Sequence, residues 1–142
     1  MTYAYVTNDG DYTVSKIDLS TFTTVGSALA VGTGPRLIAI DPTGTYAYVV
    51  NYGASTVSKI DLSTFTTVGS ALAVGTRPYG IAIDATNTYA YVTNYGANTV
   101  SKIDLSTFTT VGSALAVGTG PIGIAIAPTP KTNSNFFIFM GA

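Results

Sequence analysis

One phrase of this sequence recurs three times. The stretch TVSKIDLSTFTTVGSALAVGT occupies residues 13–33, 56–76 and 99–119 without a change, so the copies lie 43 residues apart. YAYVTN or YAYVVN precedes each copy and begins at Tyr3, Tyr46 and Tyr89. Repeats of about 40–45 residues rich in strand formers are typical of propeller blades, whereas helical repeats of this length need long amphipathic segments. The period therefore favours an all-β fold.

Each period contains four strand candidates bounded by turn signals. In the second copy these are Leu37–Asp41, Tyr46–Asn51, Thr56–Leu62 and Thr67–Val74. The turn that starts at Asp41 reads DPTG, with proline early and glycine where a positive φ is needed. The strands are apolar on both faces, which is typical of strands covered on both sides. The sequence predicts a β-propeller of four-stranded antiparallel blades, three blades per chain.

The order of the strand candidates predicts that the repeats are cut out of phase, with a blade's second strand coming first in this sequence. Residues 1–129 are predicted to supply the second to fourth strands of one blade, then two complete blades, then a spare first strand at Ile122–Ala127. Residues 130–142 depart from the repeat and contain a Phe-rich stretch. For them we expect a divergent tail that is disordered or loosely docked.

Three blades are too few to close a ring, because natural propellers have about four or more. An open arc would leave strand edges and apolar blade faces in water. We therefore expect homo-oligomerisation to close the ring, with six blades from a homodimer favoured over nine from a homotrimer. The residues predicted to form the junction between copies are Tyr3, Tyr5, Val6, Ile122, Ile124 and Ile126.

Composition argues against several classes of function. The formal net charge is −1 and charged residues make up only 9%, so there is no basic surplus for binding nucleic acid. No apolar run approaches the roughly 18 residues of a membrane span, and the amino terminus lacks a signal-peptide pattern. The chain has no His, Cys or Glu, so it lacks the usual acid–base and metal-binding groups. On these grounds we expect no enzyme activity, no cofactor and no membrane insertion.

Two sets of residues are candidates for binding. The loops at one face of the blades are predicted to present polar and aromatic side chains to a protein or glycan ligand: Arg36, Asn51, Tyr52, Arg77, Asn94 and Tyr95. Asp9 and Asp11 flank a glycine in a pattern that partly resembles a calcium loop. A calcium loop of the EF-hand type needs more carboxylates and a terminal Glu, so a solvated turn is the favoured interpretation of that segment.

The YAYVTN motif, followed by NYGANTVSKIDLSTFTTVG, resembles the YVTN-family β-propeller repeat over residues 2–129. That repeat is typical of archaeal surface-layer and bacterial cell-surface proteins, so the resemblance implies an extracellular or surface location. No catalytic set from lactonase or quinoprotein propellers is visible in the residues.

These observations lead to a prediction of function. The favoured one is a non-enzymatic scaffold with a structural, adhesive or protein-interaction role, assembled from identical subunits. A glycan-binding or small-ligand-binding propeller that uses the loop face is the alternative. A lactonase-like or quinoprotein enzyme is the third and least favoured.

Overall fold

A computed structural model describes residues 2–130, and every regular element in them is a β-strand. No helix in this part of the chain is long and apolar enough to cross a membrane. The all-β prediction is confirmed. The strands are β1 (Tyr3–Asn8), β2 (Thr13–Asp18), β3 (Thr23–Thr24), β4 (Leu29–Ala30), β5 (Pro35–Ile40), β6 (Tyr46–Asn51), β7 (Thr56–Asp61), β8 (Thr66–Thr67), β9 (Leu72–Ala73), β10 (Pro78–Ile83), β11 (Tyr89–Asn94), β12 (Thr99–Asp104), β13 (Thr109–Thr110) and β14 (Leu115–Ala116).

The strands form three sheets, one for each repeat, and their pairings are antiparallel. In the first sheet the order is β1-β2-β3, with β4 also paired to β2. The second sheet runs β5-β6-β7-β8 and the third β10-β11-β12-β13, with β9 and β14 paired to β7 and β12. These are the blade-like sheets that the repeat predicts.

The fourth strand of each blade is interrupted. The sequence predicts one strand over Thr67–Val74, but the structure has two short strands, β8 and β9, that pair with opposite ends of β7. Gly69 lies between them with a φ of 63°, a left-handed conformation that an extended strand cannot contain. The first strand also differs in its bounds, because β5 begins at Pro35 and has a register shift before Ile38.

The core lies between the sheets. Val49 and Val50 are adjacent in β6, so their side chains point to opposite faces, and both are 0% exposed. Val49 packs with Val14 of the first sheet, and Val50 packs with Val92 of the third. Burying one valine side chain contributes about 1.5–3 kcal/mol, so the middle blade is stabilised from both sides.

Asparagine at the end of the second strand connects that strand to the third. Asn94 Nδ2 donates to Thr99 Oγ1 at 3.0 Å and to Ser101 Oγ at 2.9 Å, and its Oδ1 accepts from the amide of Gly75 at 3.1 Å. Asn51 repeats the two side-chain bonds in the second sheet. Gly75 has no room for a side chain, since a Cβ there would lie 2.5 Å from Asn94 Cγ.

The predicted spare strand, Ile122–Ala127, carries no strand assignment in the structure. In residues 2–130 it has no neighbouring strand to pair with, and an extended segment becomes a strand only through such pairing. Its pairing with another copy stays a prediction. The Phe-rich stretch belongs to residues 131–142, outside the described residues.

We expect Asn94→Ala to lower the free energy of unfolding by about 2–3 kcal/mol, because three hydrogen bonds at a buried site are lost together. Asn8→Ala is the matched control, since Asn8 makes the same two side-chain bonds in a half-buried position. It should cost about 1 kcal/mol. Urea unfolding followed by circular dichroism measures both, and equal losses would contradict this account of the buried asparagines.

Candidate loop-face binding site

Backbone hydrogen bonds hold the turns after β6 and β11 against the loops that enter the same blades. Tyr52 donates its amide to the carbonyl of Gly34 at 2.8 Å, and Gly53 donates to Thr33 at 3.0 Å. Gly34 has a φ of 64°, and a Cβ there would lie 2.9 Å from the Gly53 nitrogen. Glycine is therefore required at position 34. The close approach of the two backbones sets where the Tyr52 turn lies relative to the entering loop.

Arg36 sits at the start of β5, at the edge of this loop face. Its Nη1 lies 2.6 Å from Asp9 Oδ2 on the preceding blade. Its guanidinium carbon lies 4.8 Å from the ring centroid of Tyr52 and 5.8 Å from that of Tyr79. These are cation–π distances, so two rings and one carboxylate hold the arginine in place.

Three tyrosines complete the group. The ring centroids of Tyr52, Tyr79 and Tyr95 are 6.2, 6.3 and 6.4 Å apart, so each ring touches the other two. Tyr79 was absent from the sequence-based set, although it lies 43 residues after Arg36 and the repeat register could have identified it. We call the five residues Asp9, Arg36, Tyr52, Tyr79 and Tyr95 the loop-face cluster.

A shallow cavity of about 240 Å³ opens beside the cluster and is lined by Arg36, Asp9, Tyr79, Thr7, Pro35 and Leu37. Arg36 Nε is shielded from solvent and has no hydrogen-bond partner within residues 2–130. A buried donor of this kind costs free energy until something accepts from it. The cavity thus lies between Tyr79 and an arginine whose Nε has no acceptor among the described residues.

The sequence-predicted loop residues fall into two groups in the structure, those that cluster on the loop face and those that are buried. Arg36, Tyr52 and Tyr95 come together, whereas Asn51 and Asn94 are 0% exposed and bond to neighbouring hydroxyl groups. These two asparagines face the interior of the blade, so their side chains are not part of the exposed loop face. Arg77 lies on the same face with a φ of 51°, and its guanidinium stacks on no ring in the described part of the chain.

One of the two calcium candidates lies against a cationic side chain. Asp9 is paired with Arg36, and a cation there would face the guanidinium. Among residues 2–130, no three His, Cys, Asp or Glu side chains gather closely enough to hold a metal ion.

Most of the other aspartates stabilise turns. Asp61 Oδ1 accepts from the hydroxyl and the amide of Ser63 at 2.6 and 2.8 Å. The hydroxyl bond is the main reason that the pKa of Asp61 lies below its ordinary value. Asp18, Asp41, Asp84 and Asp104 serve their own turns in comparable ways. Asp9, by contrast, belongs to the loop-face cluster through its contact with Arg36.

Comparison with known proteins identifies the fold. No protein-family model matches the chain, and no curated protein matches it. Among solved structures it resembles hydrazine synthase of Kuenenia stuttgartiensis, with 27% identity and a TM-score of 0.73 over 80% of this chain and 34% of that one.

Two further solved structures resemble the chain at less than 20% identity, so the resemblance shows a shared fold and nothing more. A putative 6-phosphogluconolactonase of Bacteroides uniformis is 15% identical, with a TM-score of 0.76 over 89% of this chain and 41% of that one. The dihydro-heme d1 dehydrogenase NirN is 18% identical, with a TM-score of 0.68 over 80% and 24% of the respective chains. The chain thus spans less than half the length of each of these three proteins.

These likenesses confirm the propeller fold and correct the predicted function. The prediction of a non-enzymatic scaffold was wrong, because the fold neighbours include a lactonase-like protein and a heme dehydrogenase. That prediction rested on the absence of His, Cys and Glu. Proteins named as enzymes share this fold, so that absence does not decide the class of function.

The turn at Asp61 gives a pH-dependent prediction. A lowered folded-state pKa stabilises the fold above the ordinary pKa of aspartate, and this stability is lost as the pH falls through the folded pKa. Ser63→Ala removes the main hydrogen bond to the carboxylate, so its stability deficit should be larger at pH 7 than at pH 2. Urea unfolding at both pH values measures this. Ser63→Thr, which keeps a hydroxyl, is the control, and an alanine deficit independent of pH would contradict the assignment.

Proposed function

We propose that this chain forms part of an enzyme-like β-propeller that acts on a small anionic substrate at the loop-face cluster. A phosphorylated sugar lactone is the substrate class we propose first. The observation that carries the proposal is the setting of Arg36, which is fixed by Tyr52, Tyr79 and Asp9 and has a buried Nε without a partner among the described residues.

The arginine supplies the anion-binding group. A guanidinium presents donors in a planar fork that matches a phosphate or a carboxylate, and it keeps its charge at any physiological pH. Its pair with Asp9 is weak, because the two side chains are 32% and 52% exposed and such ion pairs contribute about 1 kcal/mol or less. An arriving anion can therefore take the place of the carboxylate.

The tyrosines supply the rest of the site. Aromatic faces bury the apolar side of a ring-shaped ligand, while their hydroxyl groups remain able to donate and accept hydrogen bonds. Tyr95 is 38% exposed, so part of this aromatic surface is open to solvent. One anion-binding group beside the three tyrosine rings of the loop-face cluster suits a small substrate that has a charged end and a ring.

The lactonase-like fold neighbour supports the choice of substrate class. Hydrolysis of a lactone adds water across the ester bond and yields a carboxylate, an alcohol and a proton.

The resemblance of the YAYVTN motif to the YVTN-type repeat supports a second proposal, an extracellular or cell-surface location, which is independent of the substrate.

We expect 6-phosphogluconate, the product of such a hydrolysis, to bind to the chain. Calorimetry should show tighter binding of 6-phosphogluconate than of gluconate. Arg36→Gln should weaken the binding at least tenfold, because charge-assisted hydrogen bonds contribute about 1.5–3 kcal/mol. Hydrolysis of 6-phosphogluconolactone should fall in the same variant.

Arg77→Gln is the matched control, since it removes the same charge from the same face but outside the cluster. Asp9→Asn should tighten binding by up to about fivefold, because it frees Arg36 from a competing carboxylate that contributes about 0.2–1 kcal/mol. Absence of binding, or equal weakening by Arg36→Gln and Arg77→Gln, would overturn the proposal.

A further inference from the structure

From Ala4 to Asn8, the inner edge of β1 has no strand partner in residues 2–130, whereas the equivalent strands β6 and β11 are paired on both edges. The difference appears directly in burial. Val6 in β1 is 42% exposed, while the equivalent Val49 and Val92 are both 0% exposed. A long apolar strand with a free edge is a template for pairing with another strand.

The strand that fits this edge exists at the other end of the described chain. Ile122 occupies the repeat position of Arg36, and both carbonyls accept a threonine hydroxyl from the preceding blade: Thr93 at 2.8 Å for Ile122 and Thr7 at 2.7 Å for Arg36. Gly80 lies so close to the Ile122 carbonyl that a Cβ would collide with it. The segment from residue 121 is thus seated on the third blade as β5 is seated on the first.

We propose that this segment pairs with β1 of a second copy of the chain, and that two copies close head to tail into a six-bladed ring. The register follows from the two junctions inside the chain, which join the same residue types. β5 and β6 pair Pro35, Ile38, Ala39 and Ile40 with Asn51, Val49, Tyr48 and Ala47, and β10 and β11 repeat these pairs. The proposed junction pairs Pro121, Ile124, Ala125 and Ile126 with Asn8, Val6, Tyr5 and Ala4.

A contact between blade faces supports the same arrangement. Tyr5 packs on Phe65 of the next blade, and Tyr48 packs on Phe108, with ring centroids 5.8 Å apart in both cases. By the repeat, the partner of Tyr91 is Phe22 of a second copy. Phe22 is 79% exposed in the single chain, which is a large apolar side chain left in water at the free face of the first blade.

Two copies are the number that the geometry favours. The contact is heterologous, so it forms a finite ring only when the rotations close. Two copies give six blades, inside the common range of about four to eight, whereas three copies give nine. The junction would give a strand partner to residues 4–8 and would cover the exposed face of the first blade on each copy.

The chain has no cysteine, which allows a clean cross-linking test. The double variant Val6→Cys with Ile124→Cys places two thiols at paired positions of the proposed junction. Oxidised glutathione removes two protons and two electrons and leaves a disulfide. We expect a covalent dimer on a non-reducing denaturing gel, and light scattering of the unmodified chain should give twice its mass of 14.6 kDa.

Two control pairs calibrate the cross-link. Ile38→Cys with Val49→Cys has the same register inside one chain and should form an intramolecular disulfide without a dimer band. Val6→Cys with Ala125→Cys is out of register by one residue, which turns the two side chains to opposite faces, so it should cross-link poorly.

Phe22→Ala tests the face contact separately. It should raise the dissociation constant of the dimer at least tenfold and leave the secondary structure unchanged, because Phe22 is exposed in the single chain. A monomer in light scattering would overturn the proposal, as would a covalent trimer or a ladder of higher species. Equal dimer yields from the in-register and out-of-register pairs would overturn the proposed register.

Discussion

The pairing of both edges of the second strand, as in the second and third blades, is the interaction on which the rest of the structure depends. β6 has β5 along one edge and β7 along the other, and the sheets on either side cover its two faces. Its backbone groups then find partners within the sheet, and Val49 and Val50 lose all contact with water. Where one edge is open, as in β1, the same residue types stay partly exposed.

The loop-face cluster follows from this pairing. β5 and β10 place Arg36 and Tyr79 at equivalent points on neighbouring blades, and the turns after β6 and β11 place Tyr52 and Tyr95 beside them. The repeats are identical through their third and fourth strands, but they differ at these loop positions, where Asp9, Tyr52 and Tyr95 are equivalent. A constant scaffold thus carries a variable face. The residues of the proposed site lie where the copies differ.

The sequence predicted the blades well because the signals for them are local. A repeat of 43 residues and turn residues such as Gly44 mark strands without any knowledge of their neighbours. The bounds of the second strand, Tyr46–Asn51, agree with the structure to the residue. The fourth strand was predicted as continuous because the sequence does not show that Gly69 adopts a positive φ.

The candidate site was predicted less well, because a site depends on where side chains turn after the strands are in place. Asn51 follows a strand and precedes a turn, which suggests exposure, yet its amide group folds back onto Thr56 and Ser58. Tyr79 was missed because nothing in its local sequence distinguishes it from a packing residue. The function was mispredicted for a related reason, since one propeller scaffold serves many activities and the repeat itself encodes the scaffold.

Amide hydrogen exchange on the complete chain tests the central claim most directly. From Ala4 to Asn8, the amides of β1 that point away from β2 have no strand partner within residues 2–130. If the inner edge of every second strand is paired, these amides should be protected to the same degree as the equivalent amides of β6. Exchange at the rate of unpaired amides in β1, with β6 protected, would contradict the account.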